Sequence, residues 1–183
     1  MRYAALLRGV NLVKHNRIAM TDLRRILGDL GYSGVVTHLA SGNAVLSSEL
    51  PPSQLEREIG AALAEHAALS CAVMVRTGAE LAAAQAANPL GREPDNPSRF
   101  FVTFLATEPA PAAAADFAAL DVSPDQAWVI GREAYMWCPK GAADTKLSAA
   151  FLEKRLGVAG TARNWNTVCK LVTLTAEEPH SPS

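Results

Sequence analysis

The sequence predicts an α+β chain made of two βαββαβ halves packed together, with one extra helix at the C-terminal end. Three observations predict it. Short apolar runs bounded by turn residues and stretches of 3.6-residue periodicity follow one another in the order strand, helix, strand, strand, helix, strand. The order starts again near residue 100, after a segment with three prolines, Pro89, Pro94 and Pro97. The chain has 183 residues and is 49% hydrophobic, enough for a sizeable core in one domain or in two small joined ones. This order is that of the ferredoxin-like split unit, for which right-handed crossovers are expected. The expected division is 1–88 as the first ferredoxin-like half with a connecting helix, 89–98 as linker, 99–176 as the second half with its C-terminal helix, and 177–183 as a flexible tail.

Each element has its own signal. Residues 3–7 form a nearly continuous apolar run that suits a strand buried on both faces. A polar, cationic loop follows over 10–18. Thr21 is the expected cap of a helix whose Leu23, Ile26, Leu27 and Leu30 share one face, and Gly31 ends it. Strands are expected over 35–40 and 44–46, joined at Ser41-Gly42-Asn43. Ser53 with Glu56 has the form of a capping box opening a helix through Leu55, Ile59 and Leu63; a strand over 71–76 follows. Thr77 with Glu80 repeats the capping pattern before an Ala-rich helix that stops at Asn88-Pro89.

In the second half, strands are expected over 100–105, 127–130 and 134–138, and helices over about 111–120 and 146–156. Gly157 closes the last of these. The half's final strand is expected to be replaced or joined by a helix from Trp165, whose Trp165, Val168, Cys169 and Val172 fall at i, i+3, i+4 and i+7. Asn164 is its expected N-cap. Arg163, Asn164, Asn166 and Thr167 would then gather at a helix N-terminus, where free N–H groups and the dipole favour an anion. Capping alone also explains Asn and Thr at such a place.

Charge narrows the function classes. The net charge of −1 excludes a generally basic nucleic-acid coat, yet residues 1–77 hold 8 Lys+Arg against 6 Asp+Glu, while 78–183 hold 9 against 12. Arg2, Arg8, Lys14, Arg17, Arg24 and Arg25 crowd the first 25 residues. Cys71, Cys138 and Cys169 are scattered and lack Cys-x-x-Cys spacing, which fits a reducing compartment. No signal-peptide pattern and no uncharged span of bilayer length is present, so a soluble, cytoplasmic protein without membrane partners is expected. The histidines show no ligand spacing, and neither a metal nor a cofactor is expected. Nucleotide-binding glycine motifs and the nucleophile-elbow pattern are missing as well.

In a βαββαβ unit the first two strands run the same way. The loop leaving the first, 8–17, should therefore meet the turn Ser41-Gly42-Asn43. In the second half the helix over 146–156 is expected to deliver 163–167 to the corresponding end. The combination Leu7-Arg8-Gly9-Val10-Asn11, Asn16, Ser41-Gly42-Asn43, Asn88-Pro89 and Thr161-x-Arg163-Asn164-Trp165-Asn166-Thr167 resembles the bacterial domain-of-unknown-function 1697 family, over nearly the whole chain to about residue 175. The resemblance implies an α+β fold with two related halves and no particular activity. Where that family usually has Gly-Gly-Lys, this chain has Val13-Lys14-His15, which weakens a backbone phosphate cradle there.

The expected function is binding of a small anionic or nucleotide-like ligand at Arg8, Asn11, Lys14, Ser41, Asn43, Arg163, Asn164 and Asn166. Two alternatives remain. One is single-stranded nucleic-acid binding, through the loops or through Tyr135, Trp137, Phe100 and Phe104 on central strands; the other is an enzyme with a carboxylate of perturbed pKa beside Arg163.

Overall fold

The computed structural model of the chain describes residues 1–12 and 16–176. Two compact units make it up: 1–82 with the C-terminal segment from 171, and 83–170. The division falls inside two helices, and residues 89–98 lie inside the second unit.

In the first unit, β1 (Arg2–Leu7), α1 (Met20–Asp29), β2 (Ser33–Thr37), β3 (Asn43–Ser47), α2 (Pro52–Ala67) and β4 (Val73–Thr77) follow in order. The strands form an antiparallel sheet in the order β2-β3-β1-β4. β1 is central, and its Tyr3, Ala5 and Leu7 pack with Ala44, Leu46, Val73 and Val75 against Leu23, Ile26 and Leu27 of α1 and Leu55, Ile59 and Leu63 of α2. The alternate residues Ala4 and Leu6 are also fully buried, as expected of an uninterrupted apolar strand. α3 (Gly78–Ala86) leaves β4 through the expected capping box: Thr77 N–H donates to Glu80 Oε2 at 2.8 Å, and Glu80 N–H to Thr77 Oγ1 at 3.1 Å.

Two other expected caps are corrected. α1 starts at Met20, after Ala19 and without a side-chain cap, rather than on Thr21. α2 starts at Pro52, whose fixed φ and missing N–H suit the first turn, so Ser53 is no cap. Glu56 instead accepts Val75 N–H at 2.9 Å and fastens the helix to β4.

The second unit repeats the plan: β5 (Phe100–Leu105), α4 (Pro111–Ala118), β6 (Gln126–Ile130), β7 (Glu133–Trp137), α5 (Ala149–Leu156) and β8 (Gly160–Asn164), with sheet order β6-β7-β5-β8. Leu105, Ala134, Met136 and Cys138 pack under Phe117 of α4 and Leu152 and Leu156 of α5. Ser148 caps α5 by accepting Phe151 N–H at 3.2 Å, so that helix starts at Ala149 rather than at Lys146. Of the two readings of the last strand, replaced or joined by the helix, the second holds: the strand is present as β8, and α6 (Trp165–Ala176) follows it as α3 follows β4.

Candidate functional site

At the end of the first sheet the backbone draws three segments together. Leu7 N–H donates to Gly42 O at 2.8 Å and Arg8 N–H to Ala72 O at 2.9 Å. The loop leaving β1 thus meets the β2–β3 turn, the juxtaposition that the strand directions imply. Gly42 is required at this contact. Its φ is +77°, and a Cβ there would stand 2.4 Å from Val10 Cγ2 and 2.8 Å from Leu7 Cβ.

Asn11 is the hub of the loop. At φ +59°, a conformation that Asn tolerates, its side chain donates to Ala40 O at 2.6 Å and Ile18 O at 3.0 Å, and accepts Ile18 N–H at 3.0 Å. Asn43 is fully buried and does similar work inside the turn, donating to His38 O at 2.8 Å and Ser41 Oγ at 3.0 Å. Asn11 and Asn43 therefore spend their amides on the protein itself. What the loop end can offer a ligand is charge: Arg8 half-buried beside the sheet, Arg17 exposed next to Ile18, and Arg24 of α1, which reaches Thr37 Oγ1 at 2.9 Å. A guanidinium suits a carboxylate or phosphate because its donors match two oxygens at once. Lys14, expected beside Arg8, lies outside the described residues.

Of the first-unit candidates, Arg8, Asn11, Ser41 and Asn43 come together. Arg17 lies in the same loop, and Arg24 of α1 reaches Thr37 beside the β2–β3 turn. Their signal was the run of basic residues before position 26.

The second-unit candidates gather at the start of α6, as expected. Arg163 directly precedes the cap, in β8, opposite Val102, and is only 6% exposed. It donates to Thr161 Oγ1 at 2.7 Å and to Ala162 O at 2.8 Å. Burial disfavours its charged form and brings its pKa down to about 10, so it stays a cation at neutral pH. Asn164 is the N-cap, accepting Thr167 N–H and Thr167 Oγ1, each at 3.0 Å. Asn166 is exposed on the first turn of α6, where its amide reaches Ser98 Oγ at 3.3 Å.

Direction explains a correction. β8 runs antiparallel to β5, so Asn164 lies beside Phe101 at the start of β5, whereas the β6–β7 turn follows Ile130 at its far end, where Phe104 faces Glu133. β8 carries residues 163–167 away from the hairpin end of its own sheet.

Register exposes a correspondence that the sequence does not advertise. Arg76 faces Ala4 on the edge strand of the first sheet, and Arg163 faces Val102 on that of the second. The next residue caps a helix in each case, Thr77 for α3 and Asn164 for α6. Arg76 is 1% exposed. A buried arginine followed by a capping residue is thus a structural device used twice, although the residues around Arg76 show no sequence repeat with those around Arg163.

Other chemistry is limited. Phe100, Phe104 and Tyr135 are fully buried, Phe100 stacking on Tyr135 at 6.2 Å and tilting on Trp165 at 5.1 Å between ring centres, so these rings offer no platform to a base. Trp165 Nε1–H donates to Glu93 Oε2 at 3.1 Å. Burial pushes the thiols of Cys71, Cys138 and Cys169 up, away from the reactive thiolate. Glu58, Asp95 and Asp121 are shifted down by hydrogen bonds, opposite to what a general acid needs. Among the described residues no group of three His, Cys, Asp or Glu side chains could hold a metal, and no helix is long and apolar enough to cross a membrane.

Comparison with known proteins agrees with this architecture. The family described as protein of unknown function (DUF1697) matches residues 1–135, which takes in the first-unit loop end and stops before Thr161. Among solved structures, the conserved bacterial protein SP0830 from Streptococcus pneumoniae is similar over 95% of this chain and 98% of its own, with a TM-score of 0.71 and 22% identity, which shows a shared fold. No curated protein matches the chain.

Proposed function

The chain belongs to the DUF1697 family, a family of unknown function, and from that premise we propose that it binds a small anionic ligand, of phosphate or nucleotide-like chemistry, at the loop end of its first sheet. One observation carries the reading. The same crossover from first strand to first helix takes only residues 106–110 in the second unit, whereas the first unit uses 8–19. The fold does not need the longer loop. Yet that loop is held by the three hydrogen bonds of Asn11, and its described part carries Arg8 and Arg17.

In this reading Arg8 and Arg17, with Lys14, hold the anion by side chains, and Asn11, Ser41 and Asn43 keep the loop in shape. Asn164 and Arg163 serve the architecture of the second unit. Steps of bond making or breaking form no part of the reading.

A thermal-shift panel of inorganic phosphate, nucleotides, sugar phosphates and short oligonucleotides tests it. At a hundredfold excess over Kd a ligand adds about 2.7 kcal/mol of stability. Arg8→Ala and Arg17→Ala should lose the ligand-induced rise while lowering the ligand-free melting temperature less than Arg163→Ala does. Arg163→Ala should do the reverse. A silent panel, or a rise unchanged by both loop variants, rejects the site. A rise produced by oligonucleotides alone and falling steeply with salt would move the reading to nucleic acid.

A further inference from the structure

We propose that β6 is a self-pairing edge, through which two copies of this chain join antiparallel about a twofold axis at Trp128. Among the described residues β6 hydrogen-bonds to β7 only, and the two-residue turn Gly131-Arg132, with Gly131 at φ +58°, closes their hairpin. That closure makes Ile130–Glu133, Trp128–Tyr135 and Gln126–Trp137 the hydrogen-bonded pairs, so Ala127 and Val129 turn their N–H and C=O groups outward. Among the described residues no hydrogen bond takes up those four groups.

The corresponding strand of the first unit is defended and β6 is not. The β2–β3 ladder shifts register between Ser33 and Val36, Arg2 reaches Gly34 O at 3.4 Å, and Arg24 lies on Thr37 at 2.9 Å. A bulge and overlying cations are what keep an edge from pairing. β6 pairs with β7 in unbroken register and reads Gln-Ala-Trp-Val-Ile, without Gly, Pro or charge.

The occupant that fits is a second copy, because the strand is complementary to itself. With Trp128 opposite Trp128 of the second copy, Ala127 faces Val129 of that copy and the reverse, and all four outward groups of each strand are satisfied. Gln126 then faces Ile130, itself 42% exposed, and no like charges meet. A stable interface buries about 1,200–2,000 Å². The strand is extended toward that by α4, which packs beside β6 and exposes the small side chains Ala112, Ala115 and Ala118.

Two double variants separate this register from any other contact. Gln126→Lys with Ile130→Lys places cations opposite cations twice; Gln126→Lys with Ile130→Glu places them opposite carboxylates. Both positions are exposed, so the single chain should fold in each case. Sedimentation velocity should show the 19.4 kDa chain doubling in mass as concentration rises, the first variant staying single and the second doubling again. Hydrogen exchange at the Ala127 and Val129 amides should slow with concentration in the unaltered protein, which decides the matter even if a variant folds poorly. A chain that stays single throughout, a dimer indifferent to the first variant, one lost equally in both, or amides whose exchange ignores concentration would each overturn the proposal.

Discussion

The two units solve one topological problem with different amounts of chain. Both run strand, helix, hairpin, helix, strand, helix, and both place a buried arginine opposite the third residue of the central strand, followed by a cap. They part company at the hairpin end. The second unit turns in Gly131-Arg132 and crosses over in 106–110; the first takes residues 38–42 and 8–19 for the same tasks and stitches them with Asn11 and Asn43. What the units share is therefore what the fold requires, and what only the first possesses is where a ligand site is to be sought.

The largest effect should come from the shared device. Arg163→Ala removes the donor to Thr161 Oγ1 and leaves a hole beside β5; it should cost about 3 kcal/mol in urea unfolding, and Arg76→Ala a similar amount. Exposed Arg17→Ala should stay within about 0.5 kcal/mol. If Arg163→Ala were as harmless as Arg17→Ala, the equivalence of the two edge strands would fail.

Next comes the turn that differs. Gly42→Ala must hold φ +77° and push a methyl group into Leu7 and Val10, for about 2–3 kcal/mol; Gly131→Ala, at φ +58° with no atom within 4 Å of the new carbon, should cost about 1 kcal/mol. Equal costs would mean that the first-unit loop is not packed on its hairpin. The caps should be smaller and alike: Asn164→Ala and Thr77→Ala, about 1 kcal/mol each, read from the same denaturant curves.

Legibility follows the range of the interaction. The box at Thr77 and Glu80 is written in four consecutive residues and forms as written. Ser53 and Glu56 carry the same pattern, yet Glu56 is taken by Val75 N–H nineteen residues on, because the sheet offers that carboxylate a donor the helix start does not need. The meeting of the 8–17 loop with Gly42 could be read because strand direction alone dictates it. β8 could not, since Gly160-Thr-Ala-Arg-Asn has no apolar alternation and buries a cation, and the stability of such a strand resides in its partners. With the last strand left open between replaced and joined, the expected direction of the chain there is reversed, and the candidate site at Arg163 moves with it.

The smallest predicted effect again sets the units side by side, now through acid. Glu58 is held below the ordinary carboxylate range by Gln54 and then by Tyr32, whose hydroxyl donates at 2.8 Å from another part of the first unit. Asp121, in the second, is lowered by the backbone and then the side chain of Ser123, two residues away. A carboxylate whose folded pKa is depressed binds fewer protons folded than unfolded, so the stability it contributes is present above its unfolded pKa and lost as pH falls through the folded one. The two should nevertheless differ. A bond between neighbours persists in part in the unfolded chain and cancels, whereas the Tyr32–Glu58 contact exists only after folding. Glu58→Gln should therefore flatten the acid side of the stability-against-pH curve, as should Tyr32→Phe to a lesser degree, while Asp121→Asn leaves its slope nearly unchanged. Urea midpoints measured from neutral pH downward decide it; a flatter slope in Asp121→Asn than in Glu58→Gln would show that the local turn, not the tertiary contact, carries the acid sensitivity.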